Sequence, residues 1–137
     1  MSCGLIFNKG NEMKKKNLLV IDDDEAIREL LCFWAEEEGL GCEVAVSGEG
    51  ALKKIRQHNY DLLLIDIKLG GLNGVQTLRK VRALGKKMPV IMMTAFFADD
   101  LVKEAKSLGV LETDILYKPF DFENLEKLIF RKVGLNK

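Results

Sequence analysis

The sequence predicts an α/β protein, a mostly parallel, doubly wound sheet with helices on both faces. Three observations carry this. Five short apolar runs alternate strictly with five segments of helical spacing, which is the pattern of βαβ units. The third and fourth runs are apolar throughout rather than alternating, as strands buried on both sides are. The chain has 137 residues, 47% of them apolar, enough for one core and one domain.

The elements follow in order. Residues 1–13 are expected to be a tail, because Gly4, Asn8, Gly10 and Asn11 interrupt any period, and 14–137 the folded domain. The five strands are expected at Leu18–Ile21, Val44–Val46, Leu62–Ile65, Val90–Met93 and Ile115–Tyr117. Ala26, Leu30, Phe33 and Trp34 form the apolar stripe of the first helix. Ala51, Leu52 and Ile55 mark the second, Val75, Leu78 and Val81 the third, and Leu101, Val102 and Ala105 the fourth. Leu125, Leu128 and Ile129 mark the fifth, capped by Asp121 and ended by Gly134.

Composition excludes several function classes. Lys plus Arg and Asp plus Glu are 21 each, so no global charge favours nucleic acid or an anionic membrane. Three cysteines without paired spacing argue against a secreted disulfide scaffold. Cys32 and Cys42 are expected to pack as small hydrophobes, and Cys3 to lie in the tail. One histidine and no CxxC leave no structural zinc site; His58 is expected at the surface. The uncharged stretch Met88–Ala98 is about half of the roughly 20 residues a membrane span needs. No apolar leader precedes it, so a cytoplasmic domain is expected.

In an open α/β sheet, ligands sit beyond the carboxyl ends of the strands. Asp22–Asp23–Asp24 follow the first strand, Asp66 the third, Thr94 the fourth and Lys118–Pro119 the fifth. Converging carboxylates repel unless a cation is present. Hard oxygen donors in this number suit Mg²⁺. With a hydroxyl and an ammonium on the same rim, these are the parts that position and stabilise a phosphoryl group.

Four segments in this order, Leu18–Asp24 (LLVIDDD), Asp61–Asp66 (DLLLID) with Gly74 eight later, Pro89–Ala95 (PVIMMTA) and Tyr117–Phe120 (YKPF), resemble the receiver domain of two-component response regulators. The resemblance spans about residues 16–134 and implies a flavodoxin-like (βα)5 sheet with strand order 2-1-3-4-5. It implies that Asp66 accepts a phosphoryl group from a histidine kinase or histidine phosphotransfer protein. Asp23, Asp66 and the backbone carbonyl of Lys68 match the direct Mg²⁺ ligands, and Asp22 the acid that reaches the metal through water. Thr94 and Lys118 match the hydroxyl and lysine that bond phosphoryl oxygens. Lys118–Pro119 is expected to be cis, as X-Pro bonds permit. Lys68 and Phe96 match positions that set phosphoryl lifetime, although Phe96 and Phe97 also suit simple packing. The output is a changed surface on the fourth helix, fifth strand and fifth helix, read by an unidentified downstream protein, with no conventional turnover. DIKLGGLNG (Asp66–Gly74) and KPFDFENL (Lys118–Leu125) resemble single-domain receivers of the sporulation phosphorelay type.

The pattern is broken in three places. Gly70 stands where proline is usual and loosens the loop beside Asp66. Ile115 stands at the position of the switch aromatic, with Tyr117 expected on the opposite strand face. The stretch Gly109–Lys118 is about two residues longer than usual. Gly70 and Ile115 are the support for a degenerate receiver that binds partners without phosphorylation. A haloacid-dehalogenase-like phosphohydrolase is a weaker alternative: Asp22 and Asp24 provide its paired aspartates, but Ala26 stands where it needs Thr or Val, and the chain has no room for a cap. A flavodoxin-like cofactor binder lacks its phosphate loop after the first strand.

Overall fold

The computed structural model describes residues 5–7, 13–95 and 99–135. Two short strands, β1 (Leu5–Phe7) and β2 (Met13–Lys15), pair antiparallel, the first inside the expected tail and the second running past its end at residue 13. The main body then alternates: β3 (Asn17–Ile21), α1 (Glu25–Glu37), β4 (Gly41–Ala45), α2 (Gly48–Gln57), β5 (Leu62–Asp66), α3 (Gly74–Ala83), β6 (Val90–Thr94), α4 (Asp99–Ser107), β7 (Ile115–Tyr117) and α5 (Phe122–Lys132). The five-stranded sheet is parallel throughout, in the order β4-β3-β5-β6-β7. Counting only its own strands, that is the expected 2-1-3-4-5.

The core divides by strand alternation. Leu19, Ile21, Leu63, Ile65, Val90 and Met92 face one way, packing with Ala51 and Ile55 of α2, Val75 and Leu78 of α3 and Val102 of α4. Leu18, Val20, Leu62, Leu64, Ile91 and Met93 face the other way, against Leu31 and Ala35 of α1 and Leu125 and Ile129 of α5. All five residues of β5 and of β6 are buried, which is why those runs show no alternation.

Sequence polarity sets the helix ends. Asp24 caps α1 by accepting from the N–H groups of Ala26 and Ile27, and Asp121 caps α5 by accepting from Glu123. Asn73 and Gln76 form a reciprocal capping box on α3. Past α5, Gly134 takes φ +77°, the left-handed conformation that suits glycine after a helix.

Four expectations are corrected. The core face of α1 is Ile27, Leu31, Trp34 and Ala35, whereas Ala26, Leu30 and Phe33 are exposed, Phe33 at 67%. Two apolar stripes overlap on this helix, and only the one containing Leu31 and Ala35 meets the sheet. β4 begins at Gly41 and ends at Ala45, leaving Val46 outside and exposed. As an edge strand it lacks the continuous apolar run that marks β5 and β6. Tyr117 returns to the face of Ile115, since Ile115 and Leu116 join opposite halves of the core and strand side chains alternate. Lastly, Cys32 and Cys42 are not separate small hydrophobes: their Sγ atoms are joined in a disulfide between α1 and β4. Cys3 lies outside the described residues.

A 3-10 turn, Glu112–Asp114, lies in the stretch before β7. Its Asp114 is buried and accepts from Lys132 Nζ at 2.7 Å. Ile115 opens β7, the start that the sequence pattern predicts.

Candidate functional site

The order of the sheet reverses between β3 and β5, where connections leave to opposite sides. The carboxyl ends of these two strands are the topological switch point. Asp22 follows β3 and Asp66 ends β5, so the acidic residues meet there. Asp22, Asp23 and Asp66 each offer a carboxylate oxygen within 4.8 Å of the others. Asp22 is fully buried and Asp66 nearly so, while Asp23 is exposed.

Backbone and side chain both fix Asp22. Its N–H donates to Ala45 O at 3.2 Å. Its Oδ1 accepts from Asp24 N at 2.9 Å, and its carbonyl accepts from Arg28 Nη1 at 2.9 Å. Sequence reasoning passed over Arg28; its position one turn into α1, on the side of the acidic loop, was the available signal.

Asp66 is held from two sides. Lys68 N donates to Oδ1 at 3.1 Å. Lys118 Nζ donates to Oδ2 at 3.4 Å and to Asp22 Oδ2 at 3.0 Å. Burial and the neighbouring Asp22 charge push Asp66 up to about 6, against the opposing pull of Lys118 and the Lys68 N–H. Burial works against the Lys118 charge, but the two carboxylates outweigh it and raise its pKa above the ordinary lysine value.

Lys118 is aimed by β7 and the turn after it. Its N–H donates to Thr94 O at 2.7 Å, and the following Lys118–Pro119 bond is cis, as expected. Thr94, fully buried, ends β6 beside β5, and its hydroxyl donates to Ala95 O at 3.1 Å. Ile115 is buried at the start of β7, two residues before Tyr117, whose register partner is Thr94. The site thus gathers Asp22, Asp23, Asp66, Lys118 and the Lys68 backbone, with Thr94 on the adjoining strand end. Ile115 sits deeper in the sheet, and Phe96 and Phe97 lie outside the described residues.

Gly74 explains how α3 reaches this site. A Cβ there would stand 2.4 Å from Asp66 O and 2.8 Å from Ile67 Cα, so only glycine admits the helix start against the end of β5. Gly70 and Gly71 lie in the loop between them. Gly70 has open space around it, and the positive φ (+71°) belongs to Gly71.

The donor set fits a divalent cation. Three carboxylates converge, all oxygen donors, and burial together with the Asp22 charge holds Asp66 above the ordinary carboxylate range. A buried acid pair, an ammonium bridging it and a neighbouring hydroxyl meet at the switch point of a five-stranded parallel sheet. The family profile of the response regulator receiver domain matches residues 18–130, and the chain belongs to that family.

Among relatives, the transcriptional regulatory protein ZraR of Salmonella typhimurium is 34% identical over 115 residues. That match covers 84% of this chain and 26% of ZraR, so the chain spans about a quarter of that relative's length. Sporulation initiation phosphotransferase F of Bacillus subtilis is 32% identical over 123 residues, covering 90% of this chain and 98% of the relative. The CheY-like receiver domain structure from Methanospirillum hungatei superposes with a TM-score of 0.80 at 29% identity, over 87% of this chain and 94% of that one. Among the described residues no helix is long and apolar enough to cross a membrane.

Proposed function

We propose that Asp66 is the phosphoacceptor of this receiver domain and takes its phosphoryl group from a phosphohistidine on a kinase or phosphotransfer protein. The observation that carries this is the Asp66 carboxylate at the end of β5, bonded through Oδ1 to the Lys68 N–H and through Oδ2 to Lys118. An Asp66 oxygen attacks phosphorus, the P–N bond to the donor imidazole breaks, and its electron pair stays on the imidazole nitrogen. The product is a mixed carboxylic–phosphoric anhydride.

Asp22, Asp23, Asp66 and the Lys68 carbonyl would hold Mg²⁺, which when bound offsets the charge of the transferring group. The chain's own residues do the rest. The Lys68 N–H fixes the rotamer of Asp66. Lys118 is poised to follow the phosphoryl oxygens away from Asp22. Thr94 exchanges its bond to Ala95 O for one to a phosphoryl oxygen, and that reorientation at the end of β6 is the origin of the change on the surface of α4, β7 and α5. Tyr117, paired in register with Thr94, takes the aromatic position nearest that hydroxyl in place of Ile115.

The donor docks over the rim carrying Asp66. The exposed stripe Ala26, Leu30 and Phe33 on α1 begins directly after the acidic loop and supplies an apolar surface for it. Phosphoryl lifetime is set in part by Lys68, which is exposed beside Asp66, and by Phe96.

Borohydride reduction tests the acceptor. After treatment with acetyl phosphate and Mg²⁺, reduction is expected to convert residue 66, and neither Asp22 nor Asp23, to homoserine. Homoserine at another position contradicts the assignment.

A further inference from the structure

We propose that Cys32 and Cys42 form a reversible modification site for small thiols and disulfides, at which oxidation ties α1 to the edge strand β4. Their Sγ atoms are joined across two consecutive elements, with Cα atoms 5.4 Å apart and a sequence separation of 10. That separation lies within the span that disulfides bridge without backbone movement. Both residues are only partly buried. They open onto a cleft of about 440 Å³ whose lining includes Arg28, Glu29, Glu43 and Lys54. A small thiol therefore has access to the sulfurs.

Packing and strand pairing hold α1 and β4 alongside the bond. Leu31 and Ala35 seat α1 on the sheet, and β4 pairs with β3 from Gly41 to Ala45. Neither set of contacts involves the two sulfurs, so the reduced chain is expected to stay folded, and that is the condition for a switch rather than a staple. The helix that is tied down also carries Asp24, which caps it, and Arg28, which holds the Asp22 carbonyl. The crosslink thus acts on the element that anchors the acidic loop.

The reaction balances against a low-molecular-weight disulfide such as glutathione disulfide. One cysteine thiolate attacks it and releases a first small thiolate. The second cysteine thiolate then attacks the mixed disulfide and releases the other. Two cysteine thiols are oxidised, one small disulfide is reduced to two thiols, and the two cysteine protons end on those thiols.

The test equilibrates the full chain in glutathione mixtures from fully reduced to fully oxidised, quenches with an alkylating agent and maps peptides, so that Cys3 adducts are read separately. A Cys32–Cys42 peptide is expected to appear and disappear reversibly across the series. The oxidised form is expected to melt roughly 5–10 °C higher, as closing a loop of this size implies. Cys32→Ser and Cys42→Ser should each remove the redox dependence of melting. Absence of the crosslinked peptide at every ratio overturns the site. A crosslink that survives the most reducing mixture overturns its reversibility, and equal melting of the two forms overturns the tie between α1 and β4.

Discussion

Lys118 Nζ lies 3.0 Å from Asp22 Oδ2, an ion pair that joins the ends of β3 and β7 across 96 residues of chain. The same ammonium reaches Asp66 at 3.4 Å. It is the cation that lets two buried carboxylates share one end of the sheet. The residue proposed to bond the phosphoryl group therefore also stabilises the resting fold.

Lys118→Ala leaves Asp22 and Asp66 facing each other without compensation. Loss of one partner of a buried pair costs about 3 kcal/mol, so metal-free melting should fall clearly. Mg²⁺ should restore more stability to this variant than to the native chain, because it supplies the missing positive charge. Melting curves with Mg²⁺ and with EDTA check this; an equal Mg²⁺ increment in both chains contradicts it.

Asp66 makes stability fall with pH in metal-free buffer. Its folded pKa, raised from 3.8 to about 6, means that the native state binds the proton more tightly than the unfolded chain. Stability therefore declines as pH rises from about 4 to about 6 and is flat above. Asp66→Asn removes that penalty and should gain about 1–3 kcal/mol at pH 7.5 in EDTA. The gain should vanish below pH 4. Denaturant melts of both chains across this range measure it.

Gly74→Ala drives a methyl group into the Asp66 and Ile67 backbone. The strain should cost about 1–3 kcal/mol. It should also slow labelling of Asp66, because what gives way is the end of β5. Gly70→Ala, in open space, should leave both properties unchanged.

Leu30→Lys with Phe33→Lys alters a face that the core does not use. Stability should change by no more than about 0.5 kcal/mol, and labelling by acetyl phosphate should stay at the native rate. Transfer from a phosphohistidine protein should slow at least tenfold. Equal loss with both donors would place these residues in the fold rather than in docking.

The elements were legible in the sequence where burial is extreme. β5 and β6, buried on both faces, read as unbroken apolar runs, and Asp22, Asp66, Thr94 and Lys118 stand at strand ends because the switch-point rule puts them there. Legibility failed where a segment is half exposed. Residues Gly41–Glu43 lie in an edge strand and carry no apolar run, so β4 was placed too late. On α1 an outer stripe with Leu30 and Phe33 mimicked a core stripe and hid Ile27 and Leu31. The Cys32–Cys42 bond depends on how α1 settles beside β4, which spacing in the sequence does not encode.

The central claim is tested most directly by intact mass after incubation with acetyl phosphate. The native chain with Mg²⁺ should gain one phosphoryl group, and both EDTA and Asp66→Asn should abolish the gain. No adduct on the native chain, or an undiminished adduct on Asp66→Asn, would contradict the account.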